Sequence, residues 1–164
     1  MSGDAVANPS KEMVREATAA DVPNIVSLIN RAFAVERFFK NADRTNAETI
    51  GENMREGKFL LLHDDQELLA CVYLKITGPR AYLGMLSVDP SRQKSGLGTR
   101  MMNKAEAYVR AAGCDVLDIW IVNLRTELPP IYRKFGFVET GTKTADHTEK
   151  FSQPVHFITM SKKL

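Results

Sequence analysis

A strand-like run, "RAYLGMLSVDP" (80–90), is stopped by Pro90 and leads through "SRQKSGLG" into a long amphipathic pattern that closes at Gly113. This strand–turn–helix unit constrains the chain more than any other stretch. Leu97, Met101, Ala105, Tyr108 and Ala112 recur at helical spacing, with Met102 and Val109 beside them, and Gly113 stands where a C′ residue belongs. The first four N–H groups of a helix lack intrahelical partners, and the macrodipole adds partial positive charge there. Glycine ahead of the helix keeps Cβ atoms away from those groups. Residues 93–99 therefore read as an anion site suited to phosphate or pyrophosphate. Ser95 and Thr99 offer hydroxyl donors, and Arg92, Lys94 and Arg100 offer charge. Charged hydrogen bonds of this kind contribute about 1.5–3 kcal/mol each. The same glycines also suit a plain helix start with no ligand. Two familiar phosphate loops are excluded, because Gly96 and Gly98 followed by Thr99, Arg100 and Met101 satisfy neither GxxxxGK[ST] nor GxGxxG.

Around this unit the pattern is α+β. "EMVREAT" (12–18) reads as a short strand, and Thr18 and Asp21 have capping-box spacing ahead of a helix over 19–34. Residues 34–46 mix aromatics and charges without period and read as a loop near a site. A weaker helix covers 47–57, ending at Gly57. "KFLLLHD" and "ELLACVYLKIT" form an antiparallel hairpin across Asp64, Asp65 and Gln66. After Gly113 come a strand at 116–123, a short helix within 128–137, and two closing strands, "VETGT" and "PVHFITMSKKL". One domain over 12–164 is expected, with residues 1–11 a loose tail.

Composition narrows the function classes. A net charge of +2 over 164 residues gives a general nucleic-acid role no support. No apolar run approaches the ~18–20 residues of a membrane span. The N-terminus lacks an apolar signal core, so a cytoplasmic protein is expected. Cys71 and Cys114 lie among apolar residues and read as free buried thiols. No cysteine and histidine cluster suggests a metal.

"QKSGLG" (93–98), preceded by "VDP", fits Q-x-x-G-x-G and resembles the acyl-CoA pyrophosphate loop of the GNAT N-acetyltransferase superfamily. The resemblance spans roughly residues 13–163: "REAT" with Asp21, "MLSVDP", the helix to Gly113, "LDIWIVN" and "YRKFGF" (132–137) come in family order. It implies a single-domain GNAT-like fold, a mixed and splayed central sheet flanked by helices. It also implies transfer of an acetyl group from acetyl-CoA to an amine by direct attack, with no metal. The pantetheine arm would meet Leu86, Ser87 and Val88. The pyrophosphate would meet Gln93, Lys94, Ser95, Gly96, Leu97, Gly98 and Thr99. Tyr132 would serve the leaving thiolate, though a tyrosine above an aromatic pair can also be core. Asn123 would contact the cofactor, or simply end its strand.

The chain departs from the family pattern in two places. Asn123 and Tyr132 are nine residues apart rather than seven, with "ELPP" between them. The usual carboxylate base of the strand is replaced by Gly84 and Met85. Glu127 is the base put forward, with Asp118, Glu36, His63 and a water chain as alternatives. For the acceptor, an amine on a small molecule, amino acid or peptide, Phe38 and Phe39 would wall the pocket, and Glu36 or Asp43 would attract a cationic amine. A non-catalytic acyl-CoA-binding module of the same fold is the other reading. A homodimer through the last strand is possible on its alternating pattern.

Overall fold

In the computed structural model, residues 12–164 are described apart from Lys94 and His147, so the tail expected over 1–11 and the role expected of Lys94 lie outside the described residues. The capping box forms: the Thr18 N–H donates to Asp21 Oδ2 at 2.7 Å. It caps a 3-10 turn, however, and helix α1 (Val22–Ala32) begins only after it. Arg15 also grips the Asp21 carboxylate through both terminal nitrogens, and this contact chiefly holds its pKa down to about 2. A second 3-10 turn over Ala34–Phe38 occupies part of the expected loop. Helix α2 (Ala47–Glu56) is capped by Asn46, whose side chain accepts from the Thr49 N–H at 2.9 Å.

The strands are β1 (Met13–Glu16), β2 (Lys58–His63), β3 (Leu68–Thr77), β4 (Arg80–Val88), β5 (Val116–Val122), β6 (Val138–Thr144) and β7 (His156–Lys163). Helix α3 (Leu97–Ala111) joins β4 to β5, and α4 (Leu128–Lys134) follows β5. Among the described residues they form one sheet, ordered β1-β2-β3-β4-β5-β7-β6, so the last strand inserts between β5 and β6. All neighbours are antiparallel except β4 and β5.

Helices cover both faces, which is why β2 and β3 read as nearly continuous apolar runs. Leu60 and Leu62 turn to α3, joining Met101, Met102, Ala105 and Val109 in a cluster that continues to Leu117, Ile119 and Ile121 of β5. Phe59 and Leu61 turn the other way, to Ile25, Leu28, Ile29 and Ile50 of α1 and α2. Cys71 and Cys114 are buried and free, and burial pushes the Cys71 thiol up to about 12.

Two irregularities create the site. The parallel seam between β4 and β5 holds only the pairs Arg80↔Val116, Ala81↔Leu117 and Tyr82↔Asp118. Beyond Tyr82 the strands part, as a splayed sheet requires. Asp118, an unexplained mid-strand acid in the sequence, closes the seam by accepting from Arg80 at 2.9 and 2.7 Å. Burial pushes its pKa up, but Arg80 and Ser161 outweigh this and leave it lowered. The second irregularity is a bulge in β4. Tyr73 pairs with Gly84 and Cys71 with Ser87, so one extra residue is fitted opposite Val72, and Met85 takes φ +51°. The extra residue reverses the alternation. Ala81 and Leu83 face the α3 cluster, Tyr82 and Met85 face α1 and α2, and then Leu86 and Val88 return to the α3 side.

Candidate functional site

A cleft of about 770 Å³ runs from the start of α3, through the gap between β4 and β5, to residues 32–49 and 146–157. At its first end Gly96 adopts φ +84° as the N-cap of α3. That left-handed geometry favours glycine. The segment is anchored by Asp89, which accepts from the Ser91 N–H and hydroxyl and from Arg31 at 3.0 Å. Gln93, Gly96, Leu97, Gly98 and Thr99 line the cleft here, so the uncapped N–H groups of α3 face it. A Cβ on Gly98 would meet only Val88 Cγ2, at 3.8 Å. The flanking cations are partly engaged: Arg92 pairs with Glu67 at 2.9 Å and Arg100 with Glu12. The Ser95 hydroxyl donates to the Arg92 carbonyl and lies outside the lining.

In the gap, Leu86 and Val88 line the cleft from β4, and Ile119, Ile121 and Val122 from β5. Past Tyr82, the edge of β4 towards β5 has no strand partner among the described residues. Its backbone groups are available to a ligand that carries amides of its own. Ser87 is turned away and buried, its hydroxyl donating to the Met85 carbonyl at 3.0 Å.

Tyr132 lines the cleft from α4, its ring at right angles to Phe137 with centroids 5.7 Å apart. Its hydroxyl makes no hydrogen bond among the described residues. Burial pushes its pKa up to about 12, against a lowering influence of nearby Arg125, so at neutral pH it is a donor. Asn123 is placed differently. Its N–H and its Oδ1 bond the carbonyl and N–H of His156, each at 2.9 Å, which registers β5 against β7 outside the cleft lining. Glu127 also lies outside the lining, half exposed at the start of α4, with Arg125 Nε donating to it at 2.8 Å. Burial raises its pKa, but the hydrogen bond and charge of Arg125, with a backbone hydrogen bond, outweigh this and leave it lowered, which makes it a weak base. His63, bonded to Arg15 at 3.2 Å, sits at the β1–β2 edge of the sheet.

The second end of the cleft gathers residues from distant segments. Glu36 is 6% exposed and lines it, but its carboxylate is taken by Arg125 at 2.9 Å. Asp43 also lines it and is taken by Arg37 at 2.8 Å. Phe39 is fully buried in the wall and stacks on Phe151 with centroids 6.3 Å apart. Phe38 is 58% exposed, packs edge-on against Phe39 at 4.6 Å and stays out of the lining. The sequence reading passed over Tyr82, Trp120, Arg125, Phe151 and Phe157, all of which line the cleft. Tyr82 had a signal. A Cβ on Gly84 would meet the Tyr82 ring at 2.8 Å, so a phenol covers the position where the family pattern has its carboxylate. The Tyr82 ring packs on Trp120 at 4.7 Å, and Trp120 on Phe157 at 6.2 Å. Among the described residues, no group of three acidic, histidine or cysteine side chains is arranged to hold a metal.

Comparison with known proteins places this geometry. The model of the Acetyltransferase (GNAT) family matches residues 23–137. A mycothiol acetyltransferase of Beutenbergia cavernae is 34% identical over 114 residues, covering 62% of this chain and 38% of the relative. One from Clavibacter michiganensis is 28% identical over 123 residues, 73% of this chain and 40% of the relative. The chain thus spans about two fifths of the length of these relatives. Among solved structures, the ribosomal-protein-S18-alanine N-acetyltransferase of Escherichia coli superposes with a TM-score of 0.76 at 17% identity, covering 93% of this chain and 94% of that one. A GNAT acetyltransferase of Elizabethkingia anophelis with acetyl-CoA bound gives 0.76 at 16% identity, covering 95% and 100%. At such identities the likeness is one of fold.

Proposed function

Because the chain belongs to the GNAT acetyltransferase family, we propose that it is an N-acetyltransferase that uses acetyl-CoA as co-substrate and acetylates a primary amine by direct attack. The observation that carries this reading is one continuous cleft joining the open N–H groups of α3 to the free Tyr132 hydroxyl through the gap in the sheet. The pyrophosphate sits on Gly96–Thr99, where the macrodipole and uncapped amides favour it. The pantetheine arm fills the gap, its amides bonding the unpaired edge of β4. The bulge at Met85 re-aims the backbone where the thioester arrives, providing an N–H for the developing oxyanion.

In the reaction, the neutral amine nitrogen attacks the thioester carbon, and the C–S bond breaks. The proton lost by the nitrogen ends on the sulfur, giving an amide and free CoA thiol. Tyr132, with a pKa of about 12 against about 8.5 for a thiol, supports the departing sulfur as a hydrogen-bond donor. Neither Glu127 nor Glu36 offers a free carboxylate to the amine, since Arg125 engages both. Water in the open cleft takes up the earlier proton, the one the acceptor's ammonium form loses to become the neutral nucleophile.

The alternative, a non-catalytic acyl-CoA-binding module, is favoured by one observation: Gly84 and the Tyr82 ring occupy the place of the usual base. Thiol release from acetyl-CoA against a panel of amines, amino acids and short peptides separates the two readings. Amine-dependent release above background is the expected result. Tight acetyl-CoA binding without such release would instead favour the binding module.

A further inference from the structure

Lys40, Arg44 and Lys150 line the second end of the cleft, and among the described residues none of the three is ion-paired. Lys40 and Arg44 rest against aromatic rings, and Lys150 is exposed at the rim. The Lys40 amine stands 5.6 Å from the centroid of the Phe151 ring, and the Arg44 guanidinium 5.3 Å from that of Phe33. Aromatic faces orient a cation without neutralising it. The carboxylates at this end are committed elsewhere, Glu36 to Arg125 and Asp43 to Arg37. Asp146 is exposed at the rim.

Lys40 is only partly exposed, and its charge faces two further cations. Burial first, then Arg44 and Lys150, push its pKa down to about 8, with Glu36 opposing. Uncompensated cations brought together in a concave, partly desolvated site cost stability unless an anion joins them.

CoA is not that anion. The pyrophosphate end of the cleft lies with Leu97 on the α3 side of the sheet, whereas Phe33 and Tyr82, beside Arg44, pack on the α1–α2 side. Next to the cations lies an apolar floor of Tyr82, Trp120 and Phe157, with Trp120 44% exposed. Such a floor suits the hydrocarbon part of a ligand between its anionic end and its amine.

Resting on the N-acetyltransferase reading above, we propose that the acceptor is an amine that also carries an anionic group, a carboxylate or a phosphate, held by Lys40, Arg44 and Lys150. The same cations favour the uncharged form of the incoming amine, which assists its deprotonation where Gly84 leaves no carboxylate.

Matched pairs test this: L-phenylalanine against 2-phenylethylamine for carboxylate, and phosphoethanolamine against ethanolamine for phosphate. Acetyl transfer is measured for the wild type and for the double variant Lys40→Gln, Arg44→Gln. In at least one pair the anionic member should show kcat/KM about tenfold or more above its neutral counterpart, and the pair in which it does identifies the group. The ratio should fall towards one in the variant, while the Kd for acetyl-CoA stays within about twofold. Transfer with a wild-type ratio near one, or with a ratio unchanged in the variant, overturns the anion site and leaves the enzyme standing. Acetyl-CoA binding without transfer to any of the four overturns the enzyme reading for these acceptors. Calorimetric titration of the anionic members into the CoA-bound protein then decides the site. Binding that is lost in the variant retains it, and no binding overturns it.

Discussion

At the α3 end of the cleft, the groups that face a ligand come from one stretch of chain, residues 92–99. At the other end they come from residues 32–49, 119–135 and 146–157. The first end is made of backbone: a left-handed Gly96, uncapped amides and a glycine at 98. The second is made of side chains, aromatic and charged, arranged by tertiary contacts such as the bridge between Lys40 and Phe151. Backbone amides bind any pyrophosphate alike, whereas side chains set the identity of what they admit. Such a division lets the cofactor end stay constant while the acceptor end varies.

The sharpest way to break the first end alone is Gly98→Glu. Its Cβ has room, and a carboxylate in the first turn suits the helix dipole, so the fold should be untouched. Acetyl-CoA affinity should fall about 1,000-fold, roughly 4 kcal/mol by calorimetry. A Tm that falls as well would show instead that the loop is a structural element. The counterpart at the second end is Arg125→Ala. It leaves Glu36 buried without its partner, at a cost of about 3 kcal/mol. Thermal unfolding should register this as a fall of roughly 9 °C. Acetyl-CoA binding should change far less than stability. Where the ends meet, Tyr132→Phe should lower kcat about 100-fold and leave the Kd for acetyl-CoA within about twofold. Equal loss of both would make Tyr132 a packing residue.

The smallest effect is one of pH. Lys40 faces Glu36, Arg44 and Lys150, and shares its end of the cleft with Asp43, Arg125 and Asp146. With a pKa lowered to about 8, it is charged below that pH and neutral above it. The preference for an anionic acceptor over its neutral analogue should therefore weaken a few-fold from pH 7 to pH 9. A ratio that is flat over this range would take Lys40 out of the anion site.

The same contrast governs what could be read from the sequence. The loop from Gln93 to Thr99 and its helix are local, so spacing located them, and the distance of Tyr132 to Gly136 and Phe137 singled out a residue that lines the cleft. The strands were legible from runs and turns, but not the insertion of β7 between β5 and β6, which no local pattern encodes. The bulge at Met85 was hidden for a related reason. On paper "LGMLSV" sets Met85 and Leu86 side by side without saying why, and only the pairing with β3 shows that Leu86 and Val88 share a face with Leu83. Lys40 and Lys150 are 110 residues apart in sequence, so their shared field belongs to the folded chain alone. Asn123, already out of register by two residues, and Glu127, put forward in place of the missing strand carboxylate, have polar atoms that answer to His156 and Arg125.

The seam of three residue pairs between β4 and β5 also has a mechanical meaning. On the α3 side a buried apolar cluster is continuous across it, whereas on the α1–α2 side the crossing is made by the aromatic row of Tyr82, Trp120 and Phe157, with Trp120 44% exposed. The two halves are thus packed together chiefly along the α3 face, like a book along its spine. A ligand lying in the gap supplies the strand partners that β4 lacks. Amide protons of residues 83–88 should then exchange with deuterium more slowly in the loaded protein than in the empty one. Slower exchange along that edge would mean that a filled cleft joins the two halves of the sheet into a single stiff body.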